Sequence, residues 1–289
     1  MDIDGDGNDD ILSGSYSRDE APMAGLFQVL HAKPDGSFRK AEVLNGTDGE
    51  PLIIPLDGRP DTENICTRPF AVDWNGDGHL DLVVGNFAGT FYWFKGDGKG
   101  RFQPRPEAIT SGNDPLQIEG GHSDPFVIDW DGDGAIDVVG GSGRGGVQWA
   151  KNHAGKGKVP ELGAFEWLIQ PAADPFENGR LFVSEDDLSG PGESTRVWVA
   201  DVNVDGKLDL LVGDSAFMRA PAEGLSEAES KKKFADWQKA YVEIVGNKLT
   251  SADEAKRKKA FEDHRKLYEQ CATFMREEST GFVWLYLQK

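Results

Sequence analysis

The chain has 289 residues, enough for one large or two smaller domains, and its 36 glycines and eight tryptophans describe a turn-rich, aromatic-bearing protein. A balance of 50 acidic against 31 basic residues gives a formal charge of −19, which excludes the concentrated basic surface that a nucleic-acid partner requires. No run is apolar and long enough to span a membrane, and two cysteines, Cys66 and Cys271, are too few for a disulfide framework, leaving a single long-range bridge open.

In chain order the sequence opens on Asp2, the first oxygen of an Asp-rich loop with no strand before it, so a truncated segment is expected and the lack of a leader says nothing about compartment. The β-branched run Ile11–Gly14, the aromatic run Gly25–Leu30 and a turn at Asp35–Phe38 follow, and all three read as strand or turn. The order then repeats. A strand around Phe70–Val72 leads to a loop, then to Leu82–Gly85, to the aromatic Gly89–Phe94 and to a turn at Gly98–Phe102. Phe126–Ile128 leads to a third loop, Val138–Gly141 and Gly146–Ala150, and Val197–Ala200 leads to a fourth loop and Leu210–Gly213. The last aromatic run, Gly281–Tyr286, comes only after a long interruption.

The four loops are copies of one motif, their first residues 71, 56 and 72 apart. Oxygen-bearing residues stand at positions one, three, five and nine: Asp2, Asp4, Asp6 and Asp10; Asp73, Asn75, Asp77 and Asp81; Asp129, Asp131, Asp133 and Asp137; Asp201, Asn203, Asp205 and Asp209. Position seven (Asn8, His79, Ala135, Lys207) varies freely, as expected where only a backbone carbonyl is used. A glycine at position six permits the reversal. A hard divalent ion takes six to eight oxygens, so this spacing points to Ca²⁺, about four ions with a structural role. An EF-hand would need Glu at position twelve, where Ser13, Val84, Gly140 and Val212 stand, and helical flanks.

The repeating order of strand, loop, strand, aromatic strand and final strand resembles the FG-GAP or VCBS repeats of calcium-binding β-propellers, over residues 1 to about 215 and again at 281–289. The resemblance implies an all-β fold, a β-propeller of four-stranded antiparallel blades, with four recognisable repeats here; residues 219–279 break the pattern as an inserted α-helical hairpin. It also implies a larger ring of six to eight blades, with a closed four- or five-bladed ring as the alternative; because calcium sites of this kind need the calcium found outside the cytosol, a secreted, periplasmic or cell-surface location is expected. The domain division expected is 1–218 for the repeats, 219–279 for the insertion and 280–289 for a returning strand.

Within the insertion, Ser226–Glu229 is a capping box, and Phe234, Trp237, Tyr241, Ile244 and Val245 recur at helical spacing up to Gly246 and Asn247. Ser251–Glu254 opens a second helix with Phe261, His264, Leu267, Tyr268, Cys271, Phe274 and Met275 on one face. The hairpin lies between the second and third strands of its repeat, so the propeller topology puts it over the face away from the loops.

The same topology gathers the other connections on that face. They offer Ser15, Tyr16, Arg18 and Asp19; Asn86 and Phe87; Ser142 and Arg144; Asp214, Ser215 and Phe217; Cys66, Thr67 and Arg68; His122, Ser123 and Asp124; Ser194, Thr195 and Arg196. Arg68, His122, Asp124, Arg144, Asn86, Tyr16 and Arg196 are the expected ligand-binding residues, suited to an anionic or polyhydroxylated ligand. The function expected is a noncatalytic module binding carbohydrate or an extracellular protein. The alternative is a sugar-active lyase, hydratase or hydrolase with His122 as general base. Trp74, Trp130, Trp93, Trp149 and Trp284 are expected to pack between sheets.

Overall fold

The computed structural model describes residues 1–17, 24–244 and 253–289. Two compact units result: Met1–Ala172, Pro191–Ser215 and Phe282–Lys289 form the first, and Ala173–Gly190 with Ala216–Gly281 the second. The chain is mostly β, built of antiparallel sheets, with two α-helices among the described residues.

In the first unit, β1 (Ile11–Gly14), β2 (Phe27–Leu30) and β3 (Glu42–Val43) form one sheet. The second sheet follows chain order through β4 (Arg68–Val72), β5 (Asp81–Gly85), β6 (Phe91–Phe94) and β7 (Glu107–Ala108). A short hairpin, β8 (Thr110–Ser111) and β9 (Asp114–Pro115), leads to the third sheet, of β10 (Asp124–Ile128), β11 (Asp137–Gly141), β12 (Val147–Ala150) and β13 (Glu166–Ile169). The fourth begins with β14 (Glu193–Ala200) and β15 (Asp209–Pro221). The second and third sheets are thus the expected four-stranded meanders, whereas the first shows three strands because no strand precedes its loop among the described residues.

Three apolar cores lie between successive sheets. Phe27, Val29, Leu82, Val84 and Phe94 belong to the first, Val83, Phe91, Trp93, Val127 and Val138 to the second, and Phe126, Val139, Val147, Val199 and Val212 to the third. The strand β5 is buried at every residue because both of its faces meet a neighbour, which explains its unbroken apolar run. Trp74 and Trp93 sit in the second core, and Trp130, Trp149 and Trp284 pack against the third. Full burial of such side chains contributes roughly 1.5–3 kcal/mol each.

Each sheet also grips the one before it at a repeated joint. Thr67 N donates to Ser15 O at 3.0 Å, Ser123 N to Asn86 O at 3.0 Å, and Thr195 N to Ser142 O at 2.9 Å. The hydroxyls of the same three residues bond Ser15, Asn86 and Ser142 again, and all three are almost wholly buried. The preceding residues, Cys66, His122 and Ser194, adopt φ of +57°, +52° and +55°. Such a conformation costs about 1–3 kcal/mol for a non-glycine residue and persists only where neighbours hold it. Here it aims Cys66 N, His122 N and Ser194 N at the carbonyls of Tyr16, Phe87 and Gly143.

In the second unit, the outer half of β15 pairs with β16 (Met275–Thr280), and the ribbon carries α1 (Glu227–Ile244) and α2 (Glu254–Cys271). The inner half pairs with β17 (Val283–Tyr286) in the first unit. The insertion is therefore a helical hairpin on a two-stranded stem, and β15 runs without a break past Gly213. Ser226 and Glu229 form the predicted capping box. Asp253 caps α2, accepting from Ala255 N and Lys256 N; Ser251, Val245, Gly246 and Asn247 lie outside the described residues. Ala260, Leu267 and Cys271 are the buried residues of α2. Phe261 and Tyr268, expected on that stripe, are exposed because they lie on its flank, one helical step round from the buried row. Cys66 and Cys271 are free thiols.

Candidate cation loops and a two-arginine recess

The four loops share one internal hydrogen-bond scheme. The position-one carboxylate turns inward and its Oδ2 accepts from the position-six glycine, at 2.8 Å for Asp2 and Gly7, 2.9 Å for Asp73 and Gly78, 2.8 Å for Asp129 and Gly134, and 2.9 Å for Asp201 and Gly206. Positions three and five each accept from the amide two residues on, as in Asn203 from Asp205 N and Asp205 from Lys207 N. Position four must also take positive φ: Gly5, Gly76 and Gly132 do so freely, and Val204 does so at +60°.

Position nine closes the loop from both sides. Asp10, Asp81, Asp137 and Asp209 accept from position-two amides (Ile3, Trp74, Trp130, Val202) through Oδ2. Through Oδ1 they accept from the residue just beyond the third strand: Ala32, Gly96, Asn152 and Gln288, at 2.7–3.0 Å. All four carboxylates are at most 5% exposed, and burial pushes the Asp81 and Asp137 carboxyls up.

The donor sets fit a hard dication. Oxygens of Asp2, Asp4 and Asp6, and of Asp129, Asp131 and Asp137, lie within 4.8 Å of one another, and Asp129 Oδ1 is buried without a hydrogen-bond partner. A buried carboxylate oxygen with no donor is costly unless a cation meets it.

One register position escaped the sequence reading. The residue immediately before each of those strand-end amides is His31, Lys95, Lys151 or Leu287. Lys95 Nζ reaches Asp77 at 3.0 Å, and Lys151 Nζ reaches Asp133 at 3.0 Å and contacts Asp131. The signal was present as a shared offset of fourteen residues from Asp81 to Lys95 and from Asp137 to Lys151.

At the other end of the first strands, residues of four repeats line one recess of about 390 Å³. Ser13, Ser15 and Tyr16 come from the first, Cys66, Thr67 and Arg68 from the second, Asp124 from the third and Arg196 from the fourth. A five-residue strand such as β4 separates recess from loop by about 16 Å at 3.3 Å per residue. Arg68 Nε stands 3.8 Å from Asp124 Oδ1, and Arg68 Nη1 donates to His122 O at 3.0 Å. Arg196 Nη1 donates to the Ser194 and Thr195 carbonyls. Burial pushes the Asp124 carboxyl up, against the pull of Arg196 and Arg68, and pushes the Arg196 guanidinium down. One carboxylate thus faces two guanidiniums, leaving cationic character at the recess.

The remaining expected ligand residues lie elsewhere. The His122 ring packs at a 48° tilt against Phe87, with centroids 4.2 Å apart, and does not line the recess; burial with Arg68 and Arg196 lowers its pKa from the ordinary histidine value. Asn86 is wholly buried and spends its amide on Glu63 O, Thr90 Oγ1 and the amides of Gly89 and Thr90. Arg144 is exposed beside Gly120. Asp214 accepts from Gly192 N, Phe282 N and Trp284 Nε1. Arg18 and Asp19 lie outside the described residues.

Residues 73–140 and 129–212 each match the family model of the FG-GAP-like repeat. Residues 73–212 thus carry FG-GAP-like repeats. The two matches begin at the first positions of the second and third loops, Asp73 and Asp129, so each takes in its own loop, the later strands of its sheet and the loop after it. No curated protein matches the chain. No helix among the described residues is long and apolar enough to cross a membrane.

Proposed function

We propose that this FG-GAP-like chain is an extracellular, Ca²⁺-stabilised β-propeller module that binds an anionic carbohydrate, without turnover, through the recess holding Arg68 and Arg196. The observation that carries it is the convergence of four repeats on one polar recess in which Arg68 pairs with the Asp124 carboxylate and Arg196 lies close enough to influence its charge. A guanidinium recognises a carboxylate through paired N–H donors. Ser13, Ser15 and Tyr16 add hydroxyls at the same mouth. Ca²⁺ bound by Asp73, Asp129 and Asp201 and their loop partners, and a dication bound by Asp2 and its partners, would each supply a fixed positive centre that pins a first strand to its second. Binding only the folded state, it stabilises by mass action.

Two measurements test this. Calorimetry against uronate-containing and neutral oligosaccharides should show binding of the former alone, weakened at least about tenfold in R68A or R196A, consistent with loss of a charge-assisted pair. Thermal unfolding in millimolar Ca²⁺ should lie well above that in chelator. Equal affinity for neutral sugars, or release of product from any of them, would sink the binding proposal; an unchanged midpoint in chelator would sink the calcium one.

A further inference from the structure

His31 departs from its counterparts. It occupies the register position that Lys95 and Lys151 fill in the second and third repeats, but it brings an imidazole, a side chain able to ligate a metal, where they bring an ammonium. Its Nδ1 lies 3.3 Å from Asp4 Oδ2 and 3.3 Å from Asp10 Oδ2. That nitrogen is buried and has no hydrogen-bond partner. The three ligand atoms fall within 4.8 Å of one another. Asp10 is held rigid by Ile3 N and Ala32 N, and Asp4 Oδ1 accepts from Asp6 N, which leaves Asp4 Oδ2 turned to the imidazole.

We propose that His31, Asp4 and Asp10 form a mixed nitrogen–oxygen site for a borderline transition dication, with Zn²⁺ as its representative, in the first loop. Hard Ca²⁺ draws its shell from oxygens, whereas imidazole suits zinc, copper, iron and nickel. Ligands on a tetrahedral ion with bonds of about 2.0 Å stand roughly 3.3 Å apart, which matches both His31 spacings. The loop's oxygens alone would serve either ion; the buried nitrogen selects between them. This inference rests on the cation-binding reading of the loop but not on Ca²⁺ being the ion there.

The test is a Zn²⁺ titration of the full chain in saturating Ca²⁺, followed by calorimetry and by histidine side-chain ¹⁵N spectra. One Zn²⁺ site should survive the Ca²⁺, weaken at least tenfold in H31A and H31Q, and persist in H79A and H153A. In the unsubstituted protein, Zn²⁺ should move the His31 Nδ1 resonance. Affinity unchanged in H31A, a His31 Nδ1 that stays put or remains protonated in an ion pair, or Zn²⁺ fully displaced by Ca²⁺ would each overturn the proposal. Thermal unfolding with and without Ca²⁺ in the H31A chain reads the remaining loops separately, so failure of the calcium reading is told apart from failure of this one.

Discussion

The carbonyl oxygen of Ser123 lies 2.2 Å from where a Cβ on Gly85 would stand. Gly14 and Gly141 meet the carbonyls of Thr67 and Thr195 in the same way, at 1.8 and 2.4 Å, while the counterpart in the fourth sheet, Gly213, has nothing nearer than 3.9 Å. Backbone cannot give way as a side-chain tip can, so G85A should destabilise by about 2–3 kcal/mol. G213A should cost less than about 0.5 kcal/mol, as a substitution without a clash does. Chemical denaturation of the two variants measures the contrast, and equal losses would contradict the repeated joint.

Val204 is 87% exposed and holds φ at +60° where the other loops have glycine. A β-branched residue there carries strain with no packing in return, so V204G should raise stability by about 1 kcal/mol despite the added flexibility of the unfolded chain. The same denaturation experiment, run in Ca²⁺, reads the gain.

The ammonium of Lys151 stands among the oxygens of Asp131 and Asp133. A tethered cation competes with a dissolved one. Removing a unit charge about 4 Å from the ion is worth at least ~1 kcal/mol even in water, so K151M should tighten Ca²⁺ binding in the third loop about fivefold or more. Calorimetry would show the gain as one class of site moving to higher affinity while the fourth loop, where Leu287 takes the lysine's place, stays unchanged.

His122 titrates below 6.5 in the fold because burial and two arginines disfavour its charged form. The unfolded chain therefore binds the proton more readily, and stability falls as pH drops through about 6.5 towards the folded-state value, below which the loss is complete. Proton NMR titration of the ring should give a midpoint under that of a free histidine. In H122N the decline of stability between neutral and mildly acid pH should be shallower.

The loops were legible because four oxygen-bearing side chains at fixed spacing are written in the sequence itself. The recess was half legible. Strand order alone places Tyr16, Arg68, Asp124 and Arg196 on one rim, and they line one cavity. Asn86 and His122 carried the same polar signal, yet Asn86 spends its hydrogen bonds on its own turn, and the positive φ of His122 sends its carbonyl to Arg68 and its ring to Phe87. Neither demand shows in residue type. His31, Lys95 and Lys151 were missed for another reason: they reach the loops through strand pairing, so their distance along the chain hides their proximity.

Asp209 accepts from the amide of Gln288, 79 residues further on, whereas Asp81 and Asp137 find the same partner after 15. During synthesis the second and third sheets can shut soon after their acidic residues leave the ribosome. The fourth must wait until two helices have emerged, with half of β15 already committed to the stem. Any slow step in hairpin assembly thereby becomes a timer on the last sheet, and nascent chains stalled within the helices should display three finished sheets beside an open one.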